Sequence, residues 1–200
     1  MSNFLAIDTA SRHLTVLAVK DGKKVLKHSP DCAMRHSVIL MDEIDSALKE
    51  TDLAPGQCDF FCAVTGPGSF TGIRIGIATV KGFALGAGKP LLSVTSFDLI
   101  AYNVNSENFY TVIDASHGHC YVCGYGADRK ITLGPCYMSA EEIEALPYPL
   151  FGFEDLPFSG YTRLRADECL YSAVSLNADK ISDEMSALYV RKSQAEEGRK

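Results

Sequence analysis

The stretch Val64–Pro90 constrains the fold more than any other part of the chain: V-T-G-P-G-S-F-T-G-I-R-I-G-I-A-T-V-K-G-F-A-L-G-A-G-K-P. It follows the apolar run Phe60-Phe61-Cys62-Ala63-Val64, which is short, β-prone and bounded by turn formers, so it reads as a buried strand. Gly66-Pro67-Gly68 is a tight turn. Ser69 or Thr71 can then cap a helix by accepting from its first free N–H groups, and Gly86-Ala87-Gly88 followed by Lys89-Pro90 stops it. Gly72, Gly76 and Gly82 lie inside that helix, each costing about 0.8–1.0 kcal/mol against Ala. Gly72 and Gly76 are one turn apart, as are Gly82 and Gly86, so one face is thinned to hydrogen and something must approach the backbone there. Two readings stand: close packing on the helix's own sheet, or a second helix from another chain.

The elements on either side fit an α/β chain. Phe4-Leu5-Ala6-Ile7 reads as a buried strand closing on Asp8, Leu14 to Val19 as a second strand, and Lys24 to His28 as a third after an Asp21-Gly22 hairpin turn. A helix is expected from Ser37, taken as its N-cap, to about Glu50. Leu40, Met41, Ile44, Ala47 and Leu48 form its core stripe, which Val38 and Ile39 widen. Leu91 to Val94 is a fifth strand, and Thr95-Ser96-Phe97-Asp98 is a capping box opening a helix to about Tyr102. Strand–strand–strand–helix–strand–helix–strand–helix describes an antiparallel opening and a parallel continuation.

The pattern then restarts. Phe109 to Ile113 is a strand closing on Asp114, and laying Asp8 on Asp114 also lays Leu14 on Cys120 and Val16 on Val122. Strands over Cys120–Tyr125 and near Lys130–Leu133 follow, then a Ser139-Ala140-Glu141-Glu142 capping box and a short strand at Leu150-Phe151-Gly152-Phe153. The order implies a duplicated fold whose second half is too short to repeat the first in full; Asp167 to Asp183 carries no assignable pattern. The division expected is 1–104 for the first lobe and 105–200 for a smaller second, with its last residues packing back on the first.

Net charge is −6 and the isoelectric point about 5.3, which excludes nucleic-acid binding by this chain alone through a broad basic face. Seven cysteines, an odd count, with no basic n-region at the start, read as reduced thiols in a cytoplasmic protein. No apolar segment approaches the roughly 18 residues of a membrane span.

Candidate chemistry is sparse. The loop Gly66–Gly72 lacks the Gly-Lys-Ser/Thr of a Walker motif, and Thr71 stands where Gly-x-Gly-x-x-Gly needs its last glycine. A helix N-terminus can still attract an anion. Asp8, with Thr9 beside it, and Asp114 each follow a strand and face a polar turn, where carboxylates can hold a metal–nucleotide complex. Ala10 and Ser116 replace the flexible glycine of such turns, so both aspartates read as turn caps first and as weak cofactor candidates second. His117, His119, Cys120 and Cys123 suggest zinc, but residues three apart in a strand point to opposite faces. There is no His-Glu-x-x-His, no His-x-x-x-His and no nucleophile elbow.

The run Gly66-Pro67-Gly68-Ser69-Phe70-Thr71-Gly72-Ile73-Arg74-Ile75-Gly76 closely resembles the signature of the TsaB family, also called YeaZ. Leu5-Ala6-Ile7-Asp8-Thr9, Arg35-His36-Ser37, Val94-Thr95-Ser96, Ile113-Asp114-Ala115 and the tail Leu188–Glu197 are similar to it as well. The likeness is strong over 4–102 and looser over 109–200.

The resemblance implies an actin-like (ASKHA, ribonuclease-H-like) α/β fold of two lobes with a reduced second lobe. It also implies a role in forming threonylcarbamoyladenosine next to the anticodon of tRNA. In that family the catalytic subunit is the paralogue TsaD, which carries a metal-binding His-x-x-x-His. TsaB is a non-catalytic scaffold that binds and supports TsaD, and the ATPase TsaE joins them. Expected partners are therefore TsaD and TsaE, tRNA only through the complex, a second copy when alone, and no membrane. No cofactor is expected to bind tightly to this chain and no metal; ATP or ADP can sit at the complex interface. The resemblance places the partner surface on the two helices, over His36, Ser37, Leu40, Met41, Ile44, Phe70, Thr71, Gly72, Arg74, Ile75, Gly76 and Thr79. On that reading Gly72→Leu or Gly76→Leu should disrupt assembly more than folding. The rival readings are a glycoprotease-like peptidase, an ATP-binding phosphotransferase-like enzyme, and a structural homodimer without a tRNA role.

Overall fold

The computed structural model describes residues 2–191. Two five-stranded sheets carry the chain. In the first, β1 (Phe4–Asp8), β2 (Leu14–Lys20), β3 (Lys23–Ser29), β4 (Phe60–Val64) and β5 (Leu91–Val94) lie in the order β3-β2-β1-β4-β5. In the second, β6 (Phe109–Asp114), β7 (His119–Tyr125), β8 (Ile131–Ser139), β9 (Leu150–Gly152) and β10 (Tyr161–Arg163) lie in the order β10-β9-β6-β7-β8. Read from β8, the second order reproduces the first. In each sheet the opening strand pairs antiparallel with its successor and parallel with the strand that returns beside it. The duplication expected from Asp8 and Asp114 is therefore real.

The helices are α1 (His36–Thr51), α2 (Phe70–Ala87), α3 (Ser96–Ala101), α4 (Ala140–Glu144) and α5 (Ala166–Leu176). Strand β1 is buried on both faces, which is why it reads as an unbroken apolar run rather than an alternation. Leu5 and Ile7 face α1 and α2 and share a core with Leu40, Ile44, Ala47 and Val80. Phe4 and Ala6 face the other way, into a core that takes in Phe97 and Ile100 of α3, Leu170 and Val174 of α5, and Phe109 and Tyr125 of the second sheet. Helices α3 and α5 are thus sandwiched between the sheets.

Several local expectations change. Ser37 is not the cap of α1: a 3-10 turn over Ala33–Arg35 runs directly into the helix, Arg35 is the capping position without a side-chain bond, and Ser37 is exposed in the first turn. Ser69, not Thr71, caps α2, its Oγ accepting from the Gly72 N–H at 3.2 Å. The unassigned region holds α5. No helix stands between β9 and β10, so the counterpart of α2 is absent and the loop 153–160 makes the connection. After α5 the chain returns to the first sheet: Ser182 exchanges two 2.8 Å backbone bonds with Leu91, and Leu188 N–H donates to Thr65 O at 2.8 Å.

Candidate functional site

Helix α2 has two unlike faces. A Cβ on Gly72 would lie 2.0 Å from Thr9 O, and one on Gly76 would lie 2.5 Å from Thr9 Oγ1. Thr9 Oγ1 itself donates to Gly72 O at 2.7 Å. These glycines let the helix seat on the end of β1, so the approach they permit is internal to the lobe. The expectation that they face another chain is corrected, and so is the expected outcome of substituting them. Gly82 and Gly86, by contrast, have nothing within 4 Å of a notional Cβ. With Met41, Ala78, Thr79 and Phe83 they border an open groove of about 630 Å³. Met41 of this groove is 54 % exposed, and elsewhere on the two helices and the turn before α1 the apolar side chains of Met34 (95 %), Val38 (68 %) and Leu85 (87 %) also stand in solvent. Single exposed apolar residues need no explanation, but an open groove between two helices, with exposed Met41 at its border and exposed Val38 one turn before it on α1, is the shape of an interaction surface.

The expected partner residues divide accordingly. Ser37, Met41, Thr71 and Arg74 are exposed, and Phe70, Ile75 and Thr79 are half-buried. His36, Leu40, Ile44, Gly72 and Gly76 are buried within the lobe and do not belong to its surface. His36 is closed off entirely: burial holds its pKa below the usual value, and its Nε2 has no partner among the described residues. Phe70 stacks on Tyr189 with ring centroids 4.6 Å apart, and Arg74 Nε donates to the Tyr189 hydroxyl at 3.1 Å. Sequence reasoning missed Met34 and Leu85 as surface; it singled out the Gly82/Gly86 pair as a thinned face but left it off the residues expected to meet the partner. The available signal was the second glycine pair, which lies about 80° around α2 from the first.

Between the lobes a second cavity of about 580 Å³ is lined by Asp8, Asp114, Ser96 and Glu154, with Leu99, Ile113 and Phe153 among its walls. Asp8 Oδ1 accepts from the Ala10 N–H at 2.8 Å, and Asp114 Oδ1 accepts from the Ser116 N–H at 2.8 Å. Both aspartates cap their turns. Ser69 N–H donates to Ala10 O at 2.7 Å, so that amide of the glycine-rich loop is also spent inside the protein. Burial, opposed by the Ala10 amide and reinforced by the negative charge of Glu154, pushes the Asp8 carboxyl up to about 6. Burial likewise raises the pKa of Glu154. A crowd of carboxyls with committed amides is poorly suited to hold a phosphate.

Among the described residues no three His, Cys, Asp or Glu side chains gather so as to hold a metal ion, and the residues here do not fit one. Cys120 and Cys123 point to opposite faces of β7, into different cores. The cysteines are free thiols, all but the half-buried Cys136 fully buried. Among the described residues no helix is long and apolar enough to cross a membrane.

A family model described as TsaD: tRNA N6-adenosine threonylcarbamoyltransferase matches residues 28–182. The tRNA threonylcarbamoyladenosine biosynthesis protein TsaB of Escherichia coli (strain K12) is 33% identical over 130 residues, covering 63% of this chain and 56% of that protein. TsaB of Bacillus subtilis (strain 168) is 31% identical over 121 residues, covering 58% of this chain and 52% of that protein. The match thus spans about half the length of these curated relatives. YeaZ from Pseudomonas aeruginosa superposes with a TM-score of 0.77 at 22% identity, over 94% of this chain and 100% of that one. At that identity the likeness shows the fold, which is the two-lobed actin-like one.

Proposed function

Because the chain belongs to the TsaD family of tRNA N6-adenosine threonylcarbamoyltransferases, with TsaB proteins among its relatives, we propose that it serves the formation of threonylcarbamoyladenosine in tRNA as a non-catalytic subunit. It binds and supports a TsaD-type catalytic partner, a TsaE-type ATPase joins the assembly, and tRNA is engaged by the complex in the cytoplasm. The observation that carries this reading is the open groove bordered by Met41 of α1 and the bare Gly82–Gly86 edge of α2, with exposed Val38 one turn before Met41 and exposed Leu85 on α2. Burying such side chains is worth roughly 1.5–3 kcal/mol each, which suits helix-on-helix docking. Without the partner, the same face pairs with a second copy. The acidic balance and the missing His-x-x-x-His favour a supporting role over catalysis. Any ATP or ADP belongs at the interface between subunits rather than tightly within this chain.

The test is reconstitution of the modification from purified TsaD and TsaE of the same organism, with and without this chain. The reading expects modified tRNA to fall to background when the chain is omitted, and to fall again when Val38→Asp and Leu85→Asp are combined in a chain that melts normally. Equal modification without the chain sinks the reading. If the doubly substituted chain supports full modification, the helix face is not the docking surface.

A further inference from the structure

We propose that the strip Leu188–Arg191 is a clasp that couples the second lobe to the first turn of α2, so that a disturbance at the edge of the second sheet is felt at the start of that helix. The strip alternates. Leu188 and Val190 pack on the core shared by the two sheets, whereas Tyr189 and Arg191 each meet an aromatic ring, and the two rings stand on different lobes. Tyr189 stacks on Phe70 of α2 at 4.6 Å, and its hydroxyl accepts from Arg74 Nε at 3.1 Å. Arg191 Nη1 donates to the hydroxyl of Tyr137 on β8 at 3.0 Å, and its guanidinium lies 5.0 Å from the centre of that ring. Tyr137 is itself stacked on His119 of β7, with centroids 4.7 Å apart and planes 2° from parallel.

The clasp has little slack. From Tyr189 to Arg191 the chain spans at most about 7 Å. Its near end is pinned to the first lobe: Leu188 N–H donates to Thr65 O at 2.8 Å, and a Cβ on Gly66 would lie 2.9 Å from Leu188 O. Its far end is held twice by one ring, through a hydrogen bond and through the face of the π-system. A shift of β8 against the first sheet therefore either breaks the Arg191 contacts or pulls on Tyr189. The first turn of α2 is where such a pull acts most easily. Its amides lean on single local bonds, Gly72 N–H on Ser69 Oγ at 3.2 Å and Ile73 N–H on Ser69 O at 2.9 Å, and helix ends open before helix centres. Phe70 and Arg74 are among the expected partner residues, so the bearing on docking rests on the function proposed above; the coupling itself is a property of the chain alone.

The experiment is amide hydrogen exchange on the full chain, followed residue by residue in Tyr137→Phe, Arg191→Ala and Tyr189→Ala. Tyr137→Phe keeps the ring and its stack on His119 and removes only the hydroxyl, on the second lobe. The Gly72 and Ile73 amides should exchange at least about three-fold faster in it, a part of the roughly ten-fold or more that a lost hydrogen bond to a charged group accounts for. The rise should be larger in Arg191→Ala and largest in Tyr189→Ala, while the Ile44 amide of α1 keeps its rate. Unchanged Gly72 and Ile73 rates in both second-lobe contact variants, with a rise in Tyr189→Ala alone, would overturn the coupling. So would an equal rise at Ile44 in Tyr137→Phe, which would mean a general loss of stability. If Arg191→Ala does not fold, Tyr137→Phe decides by the same comparison. No partner takes part, so the outcome is independent of whether the chain serves tRNA modification.

Discussion

At the scale of single residues, glycine and aspartate carry the sharpest consequences. Gly72 and Gly82 sit in one helix at the same intrinsic cost, yet one is pressed against Thr9 O and the other faces open space. Gly72→Ala is expected to destabilise the fold by about 1–3 kcal/mol, because the overlapping atom is backbone and cannot move aside. Gly82→Ala is expected to stabilise it by about 0.8–1.0 kcal/mol. Urea unfolding of the two variants checks both signs at once. Asp8 is expected to weaken the fold as it ionises. Its folded pKa, about 6 against the usual 3.8, means the native state holds its proton more tightly than the unfolded chain. Stability from this group is therefore full below about pH 4, falls as pH rises towards 6, and is lost above it, by about 3 kcal/mol in all. Asp8→Asn keeps an oxygen for the Ala10 amide and should raise the melting temperature at pH 8 while changing it little at pH 4. The sequence told that Gly72 and Gly76 must admit something close, since no other gain offsets their helical cost. It could not tell what, because the partner, Thr9, is far away in the chain and has no special look.

Secondary-structure elements were legible where apolar period and capping chemistry agreed. Strands β1, β4 and β5, helix α2 and the boxes at Thr95 and Ser139 fall where patterning places them. Helix α5 was not legible, although Cys169, Leu170, Ala173 and Val174 have helical spacing. Its capping position is Arg165, which offers no side-chain bond to announce a start. The α1 start slipped for a related reason: the chain is already turning when it reaches His36, so Ser37 lies inside the first turn rather than at the capping position. The segment after α5 is short and mixed in character, yet it adds Ser182 to the free edge of β5 and plants Met185 in the first lobe's core. Met185, only 3 % exposed, tests whether that return matters. Met185→Ala should cost about 2–5 kcal/mol in equilibrium unfolding; a loss below 0.5 kcal/mol would show a loosely laid strap.

Across the whole molecule, the two sheets do not own separate cores. One continuous cluster runs from Phe4 and Val19 of the first, through α3 and α5, to Phe109 and Tyr125 of the second. Heat unfolding should accordingly be one cooperative event, with calorimetric and van't Hoff enthalpies in agreement; two resolved peaks would mean that the lobes melt apart. The repeat order also bears on inheritance. Each half brings the same strand arrangement and the same aspartate closing the same turn, so the space between Asp8 and Asp114 is the seam where two copies of one ancestral unit meet. Such a seam begins symmetric and serves neither copy more than the other. Here one copy keeps a long crossover helix, whose outer side is turned to solvent, while the other has only a loop, which projects Glu154 into the seam. Loss of symmetry thus divided the labour: one half was left free to evolve an outward face, and the other to change what lies at the join.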